Sequence, residues 1–109
     1  MNRQEELEAL NDEGLNHLVY CLRRKVGMHL LDAKTAFGLY DYCNCPADIM
    51  PIAFESKFEL TPMEEKGEDV YIVSYADDYN ITYEIDKNPY RAICIVFILM
   101  KEAENEVAS

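Results

Sequence analysis

The stretch Asn88–Met100, NPYRAICIVFILM, decides the fold of this 109-residue chain. Asn88 is a favourable N-cap residue, and Pro89 suits the first helical position because its missing N–H would have no partner there. The segment therefore predicts a helix over Tyr90–Lys101. Its apolar residues occur on nearly every side, and such a helix must be buried on more than one side. We expect a sheet against one side and either the first helix or a second subunit against the other.

Three segments before this helix have the pattern of β-strands. Apolar and charged residues alternate in Phe54–Leu60, and Pro62 is expected to end that strand. Val70–Tyr75 is apolar on both faces, as a central strand would be. Tyr79–Ile85 alternates again, with its apolar residues on one side. With Met63–Asp69 as a solvated connector, these strands predict an antiparallel meander.

The N-terminal half contributes a second helix. Asn11 can cap its first free amides, and apolar residues then recur at helical spacing through Val26. Gly27 is a plausible stop. Residues 1–9 form a charged lead-in that is either frayed or a first helical turn, and the polar tail 103–109 is a further segment expected to fray.

The middle of the chain is less regular. Residues 28–42 fit either a short strand or an irregular segment under the core. Residues 41–51 contain two prolines, an asparagine and aspartates, which predict an ordered loop or a single short turn of helix. The whole sequence 1–109 is therefore expected to form one α+β domain, an antiparallel sheet of three to four strands packed with an N-terminal and a C-terminal helix.

Charge excludes several classes of partner. The chain has 21 acidic and 10 basic residues, for a net charge of −11, so nucleic acid and anionic membranes repel it. The basic run 23–25 is explained by the negative end of a helix dipole. The polar start MNRQEELE is unlike a signal peptide, and the apolar run Ala92–Met100 is far shorter than the roughly 18 residues that span a bilayer. We expect a cytoplasmic protein with reduced cysteines.

Candidate chemistry is sparse. The pair Cys43-x-Cys45, with His17 or His29, is weak evidence for a metal site, because closed zinc sites usually have longer ligand gaps and two such pairs. Neither cysteine lies in a segment that predicts an activated thiol. We therefore expect no enzyme, no metal and no cofactor.

Tyrosine is frequent, with eight residues in the chain. Those on the predicted strands fit two interpretations, sheet packing with the hydroxyl at the rim or anchoring of a protein interface. The strand tyrosines are Tyr71, Tyr75, Tyr79 and Tyr83.

Three blocks in order carry a family resemblance. They are Leu10–Asn16 (LNDEGLN), Tyr40–Asp48 (YDYCNCPAD) followed by Pro51-Ile52, and Asn88–Ala92 (NPYRA) with the apolar run behind it. Together they cover about half the chain and resemble the phage NinX-type family, a domain of unknown function in lambdoid phages and prophages. The chain departs from that family in having no tryptophan near Ile49.

The resemblance implies a phage setting and helices packed on a sheet, and it implies no activity or catalytic residue. It marks eight residues as family-motif or interaction candidates. They are Tyr40, Asp41, Asn44, Pro46, Asp48, Asn88, Pro89 and Arg91.

These observations predict a phage or prophage accessory protein that acts in the host cell by binding a host or phage protein, for example to counter host defence. One alternative is an acidic DNA mimic that inhibits a nucleic-acid-binding host protein. A second is a homodimer or larger assembly factor whose core is completed across an interface, as the last helix suggests. The carboxylates available for mimicry are Glu55, Glu59, Glu64, Glu65, Glu68, Asp69, Asp77, Asp78, Glu84 and Asp86.

Overall fold

A computed structural model of the protein describes residues 2–24, 40–77 and 80–108. These residues form four helices and one antiparallel sheet of strand order β1-β2-β3. The elements are α1 (Arg3–Ala9), α2 (Asp12–Arg24), α3 (Pro46–Ser56), β1 (Glu59–Glu65), β2 (Glu68–Ala76), β3 (Ile81–Asp86) and α4 (Pro89–Ala108). The predicted α+β class, with helices at both ends of the chain, is confirmed. The predicted stop at Gly27, the segment 28–39 and Tyr79 lie outside the described residues.

Helix α4 is the centre of the molecule. It begins as predicted, since the Asn88 side-chain oxygen accepts hydrogen bonds from the backbone N–H groups of Tyr90 (2.9 Å) and Arg91 (3.3 Å). Every residue from Ala92 to Ile98 is buried. Strands β2 and β3 pack on one side of α4, and α1, α2 and α3 pack on other sides. The two-sided burial expected from the sequence is confirmed, and helices of the same chain supply the second side.

The N-terminal helices also follow from local signals. Asn11 caps α2 as predicted, because its side-chain oxygen accepts from the Gly14 N–H at 2.8 Å. The lead-in forms the short helix α1, which Asn2 caps through the Glu5 N–H. Leu7 on α1 is fully buried in the common core, so the helical interpretation of this segment describes the structure. The tail is helical through Ala108.

The prediction for residues 41–60 is wrong in two respects. Pro46–Ser56 is an eleven-residue helix rather than a loop or a single turn, and Phe54 therefore belongs to a helix rather than a strand. Pro46 lies in the first turn, where its missing N–H is not needed. Pro51 sits farther into the helix, and buried residues at helical spacing hold that segment against the core. These buried residues are Ile49, Ile52 and Ala53.

The β1–β2 hairpin replaces the predicted solvated connector. Helix α3 ends at Lys57, which has a left-handed backbone (φ 59), and β1 then continues through Pro62 to Glu65. Pro62 is tolerated because β1 is an edge strand. Lys66 and Gly67 both have positive φ, 53 and 80, as a type I′ two-residue hairpin requires. Val70–Tyr75 lies in the central strand β2, as predicted.

Candidate functional site

The three blocks of the family resemblance converge at one polar junction. The junction consists of side chains from the start of α2, the segment 41–48 and the region around the start of α4. Its members are Asp12, Asn16, Asp41, Asn44, Asp48, Asn88 and Arg91. Sequence reasoning named five of them as candidates, and the structure brings those five together with Asp12 and Asn16.

Two asparagines attach the central segment to both flanking helices. The buried Asn16 donates from Nδ2 to Asp41 Oδ1 at 3.1 Å, and its Oδ1 accepts from the Cys43 N–H at 3.1 Å. Asn88 donates from Nδ2 to the Cys43 carbonyl at 2.7 Å. Cys43 is therefore held on one side by α2 and on the other by the N-cap of α4.

Arg91 closes the junction toward the N-terminus. Its Nη1 lies 2.8 Å from Asp12 Oδ1, and its Nη2 donates to the carbonyl oxygens of Glu8 (3.0 Å) and Leu10. Its Nε lies 3.9 Å from Asp86 Oδ2 at the end of β3. One guanidinium thus connects the α1–α2 connection, the last strand and α4, with charge-assisted bonds stronger than neutral ones.

The remaining motif residues complete the local structure. Asp48 accepts from the Asp41 N–H at 3.0 Å, and Asn44 Nδ2 lies 3.0 Å from Asp12 Oδ2. The Tyr40 ring lies 5.6 Å from the Tyr42 ring in a stacked arrangement. Pro46 and Pro89 open α3 and α4. All eight residues marked by the resemblance therefore have an identifiable place in shaping this region.

The polar side chains of the junction bond to one another and to the backbone of the same chain. Within the described residues, no buried side-chain nitrogen or oxygen lacks a hydrogen-bond partner, and no group of three His, Cys, Asp or Glu side chains is placed to hold a metal ion. The Cys43 and Cys94 sulfurs lie 3.9 Å apart as free thiols. Burial raises the pKa of the Cys94 thiol, which disfavours the nucleophilic thiolate.

Strand β3 has its apolar side facing solvent. Ile81 is 72% exposed and Tyr83 55%, whereas Glu84 between two apolar neighbours is only 3% exposed. Residues directly opposite in the pairing share a face, so Tyr83 lies beside Ser74 and Ile81 beside Ala76. We call this side of the sheet, away from the helices, the open face. Its exposed or half-buried apolar members are Met63, Ile72, Ala76, Ile81, Tyr83 and Ile85, whereas Val70, at the same face by register, is buried.

The candidate tyrosines do not form one surface. Tyr83 belongs to the open face, but Tyr71 and Tyr75 alternate in phase with the fully buried Val73 on the side of the helices. Tyr75 packs edge-on against Phe58, with ring centroids 5.7 Å apart. The packing interpretation therefore describes Tyr75, and only Tyr83 among these three is exposed enough to anchor a partner.

Glu84 is a site residue that sequence reasoning placed wrongly among the surface carboxylates. Gln4 Nε2 donates to Glu84 Oε1 at 2.6 Å and to the Tyr83 carbonyl at 2.7 Å. Burial, followed by a hydrogen bond with Glu8, raises the pKa of Glu84 to about 7, although the Gln4 bond opposes this. No sequence signal distinguishes Glu84 from an exposed strand residue.

An open cleft of about 570 Å³ lies where Glu84 approaches the edge of β3. Side chains of α1, β3 and α4 form its walls, and the acidic groups among them are Glu8 and Glu84. The full lining is Gln4, Glu8, Ile81, Thr82, Tyr83, Glu84, Ile85 and Leu99.

Within the described residues, no helix has the length and apolar character needed to cross a membrane. Compared with known proteins, the chain matches no family model, no curated protein and no solved structure.

Proposed function

We propose that the protein acts by binding another protein through the open face of its sheet. The observation that carries this proposal is the orientation of β3, which presents Ile81, Tyr83 and Ile85 to solvent and buries Glu84. Contiguous exposed apolar surface commonly marks an interaction site. Tyrosine is also a frequent interface anchor, because it combines a large apolar area with a polar tip.

The charge around the open face indicates what kind of surface would fit it. All seven residues of β1 are exposed, and the hairpin that they begin has acidic residues at Glu64, Glu65, Glu68 and Asp69. Lys87 pairs with Glu68 at 2.8 Å, which leaves the others to act on a partner. The proposal is therefore a partner with an apolar centre and a basic rim, whose association slows as salt increases.

The biological setting is part of the proposal and depends on the sequence resemblance. We infer a phage or prophage accessory protein that acts without catalysis in the host cytoplasm. Its target would be a host or phage protein, and a component of host defence is one such target. Binding through the open face does not depend on this setting.

DNA mimicry is the second candidate function, favoured by the exposed carboxylates of the hairpin. It differs in the forces used, since a mimic would bind through Glu64, Glu65 and their neighbours and would lose its target in high salt. The apolar side chains of the open face would then contribute little. Glu84 cannot take part in mimicry while it is buried.

The assembly alternative has lost its original motivation, because helices of the same chain cover α4. The open face still provides a surface for a second copy. Light scattering at micromolar concentration distinguishes self-assembly from binding of a different protein, since an obligate assembly gives at least twice the monomer mass. A monomer is the result expected from the proposal.

The test compares variants in affinity capture from host lysate at low and high salt. Ile81→Asp combined with Tyr83→Asp should lose the partner captured by the wild-type protein. Phe54→Asp is the matched control, because Phe54 is 73% exposed but lies on α3. Retention of the same partner by the double variant would contradict binding through the open face. Loss at high salt without any effect of the double variant would favour mimicry.

A further inference from the structure

The outer edge of β3 has backbone groups that face the cleft. The Tyr83 carbonyl accepts from the Gln4 side chain, so it points away from β2. In an antiparallel strand the N–H and C=O of one residue point to the same side, and this side alternates along the strand. The backbone groups of Ile81, Tyr83 and Ile85 therefore lie along the outer edge, whereas Thr82 and Glu84 face β2.

The two edges of the sheet differ in how well they are protected against strand addition. On β1, Pro62 removes one N–H, and three glutamates occupy the strand. Proline and charge are common devices that prevent edge pairing. On β3, the residues whose backbone groups lie along the outer edge are Ile81, Tyr83 and Ile85, and the strand has no proline; its acidic residues are Glu84 and Asp86. The edge of β3 therefore lacks the proline that protects β1, and an incoming strand would displace the Gln4 side chain from the Tyr83 carbonyl.

We propose that the cleft binds an extended segment of a partner protein as a fourth strand along β3, with alternating apolar and basic side chains. The inference rests on the proposed function and names the part of the partner that would bind. Strand addition uses main-chain hydrogen bonds for affinity and alternate side chains for specificity. A cleft of about 570 Å³ falls within the usual size range of ligand sites.

The alternation of the partner follows from that of β3. Residues opposite each other on neighbouring strands lie on the same face. Side chains beside Ile81, Tyr83 and Ile85 would therefore be apolar, because they lie on the open face. Side chains beside Glu84 would lie on the helix side of the sheet, where the carboxyl groups of the cleft are those of Glu84 itself and Glu8.

The negative charge at the cleft favours a basic partner segment over a second copy of this chain. The cleft is lined by two acidic residues, Glu8 and Glu84, and by no basic residue among those described, and Asp86 adds further negative potential at Glu84. Lysine or arginine opposite Glu84 would lie near the Glu8 carboxyl group and would favour the ionised form of Glu84, whose pKa is raised to about 7 in the free protein. A second copy would instead bring its own Glu8 and Glu84 to the same edge, with a net charge of −11 on each chain.

The experiment uses the full chain, labelled with ¹⁵N, and a capped seven-residue peptide of alternating valine and lysine. Amide shifts should change most at Ile81, Tyr83 and Ile85. A matched peptide with glutamate in place of lysine should bind at least about tenfold more weakly, since each tenfold corresponds to about 1.4 kcal/mol. Gln4→Ala should strengthen binding by roughly two- to tenfold, because it frees the Tyr83 carbonyl for the incoming strand.

The outcomes separate strand addition from the broader proposal. Shift changes at Ile72 and Ser74 without changes at the β3 edge would overturn strand addition but leave binding through the open face intact. Equal binding of the two peptides, or no shift at millimolar peptide, would also overturn it. None of these peptide results tests the proposed function. That function is tested separately, by whether Ile81→Asp combined with Tyr83→Asp abolishes partner capture.

Discussion

Glu84→Gln should remove a pH dependence of stability that the wild-type protein has between about pH 4.5 and pH 7. Burial and the hydrogen bond with Glu8 raise the pKa of Glu84 from 4.5 to about 7 in the folded protein. Between these values the folded chain binds a proton that the unfolded chain has released. The free energy of unfolding therefore falls as pH rises through this window.

The size of the effect follows from the two pKa values. A shift from 4.5 to about 7 corresponds to a loss of about 3 kcal/mol when the carboxyl is fully ionised, at about 1.4 kcal/mol for each pH unit. This stabilisation is present below pH 4.5 and is lost above pH 7. Glutamine has almost the same shape and does not ionise, so the variant should be insensitive to pH at this position.

Urea unfolding followed by circular dichroism at constant ionic strength, from pH 5 to pH 8, measures the effect. The difference between wild-type and Glu84→Gln stabilities should change by about 2–3 kcal/mol over this range. Glu64→Gln is the control, because Glu64 is exposed on β1, and it should keep the wild-type pH profile. Parallel profiles for wild type and Glu84→Gln would refute a buried, protonated Glu84.

Two further predictions concern backbone and capping positions. Asn88→Ala should destabilise the fold by about 2–3 kcal/mol, because it removes both the cap of α4 and the bond to the Cys43 carbonyl. Asn88→Ser keeps a cap acceptor and should recover about 1 kcal/mol of the stability that Asn88→Ala loses. If urea unfolding gave the same loss for both variants, the cap would not contribute separately from the bond to the Cys43 carbonyl. Lys57→Gly should stabilise the protein by about 0.5–1 kcal/mol, because glycine adopts the positive φ of this position (59) at a lower steric cost than lysine. A lower melting temperature would disprove this expectation.

The elements that sequence predicted well are those with local determinants. Asn88 and Pro89 define the start of α4 through capping and the missing N–H, both of which are properties of a few neighbouring residues. Asn11 does the same for α2. The central position of β2 follows from Val70–Tyr75 being apolar on both faces, because a strand of that kind needs neighbours and cover on both sides.

The boundary between α3 and β1 could not be predicted from the local sequence pattern. Phe54–Leu60 alternates like a strand, yet Phe54 lies in the last turns of α3 and only Glu59 onward pairs with β2. Phe54 belongs to α3 because Ile49, Ile52 and Ala53 pack on the core and stabilise this segment as a helix, which is a tertiary effect. Pro62 appeared to end a strand, and its tolerance follows only from the position of β1 at the edge of the sheet.

The orientation of β3 could not be predicted because alternation defines two faces without saying which one packs. The pairing of Ala76 with Ile81 sets the register, and next to this pair Asp77 exchanges hydrogen bonds with Asn80. A shift of one residue would reverse every side chain of β3. Glu84 would then face solvent and the apolar residues would face the helices.

The polar junction explains why this register persists. A one-residue shift of β3 would bury Ile81, Tyr83 and Ile85, which hydrophobic burial alone favours. It would also displace the end of the strand, where Asp86 accepts from the Asn88 N–H at 2.8 Å. Asn88 and Arg91 would then lose their alignment with the Cys43 carbonyl and Asp12. The motif side chains therefore hold the start of α4 in the position that keeps the apolar side of β3 exposed, which connects the structural junction to the proposed binding surface.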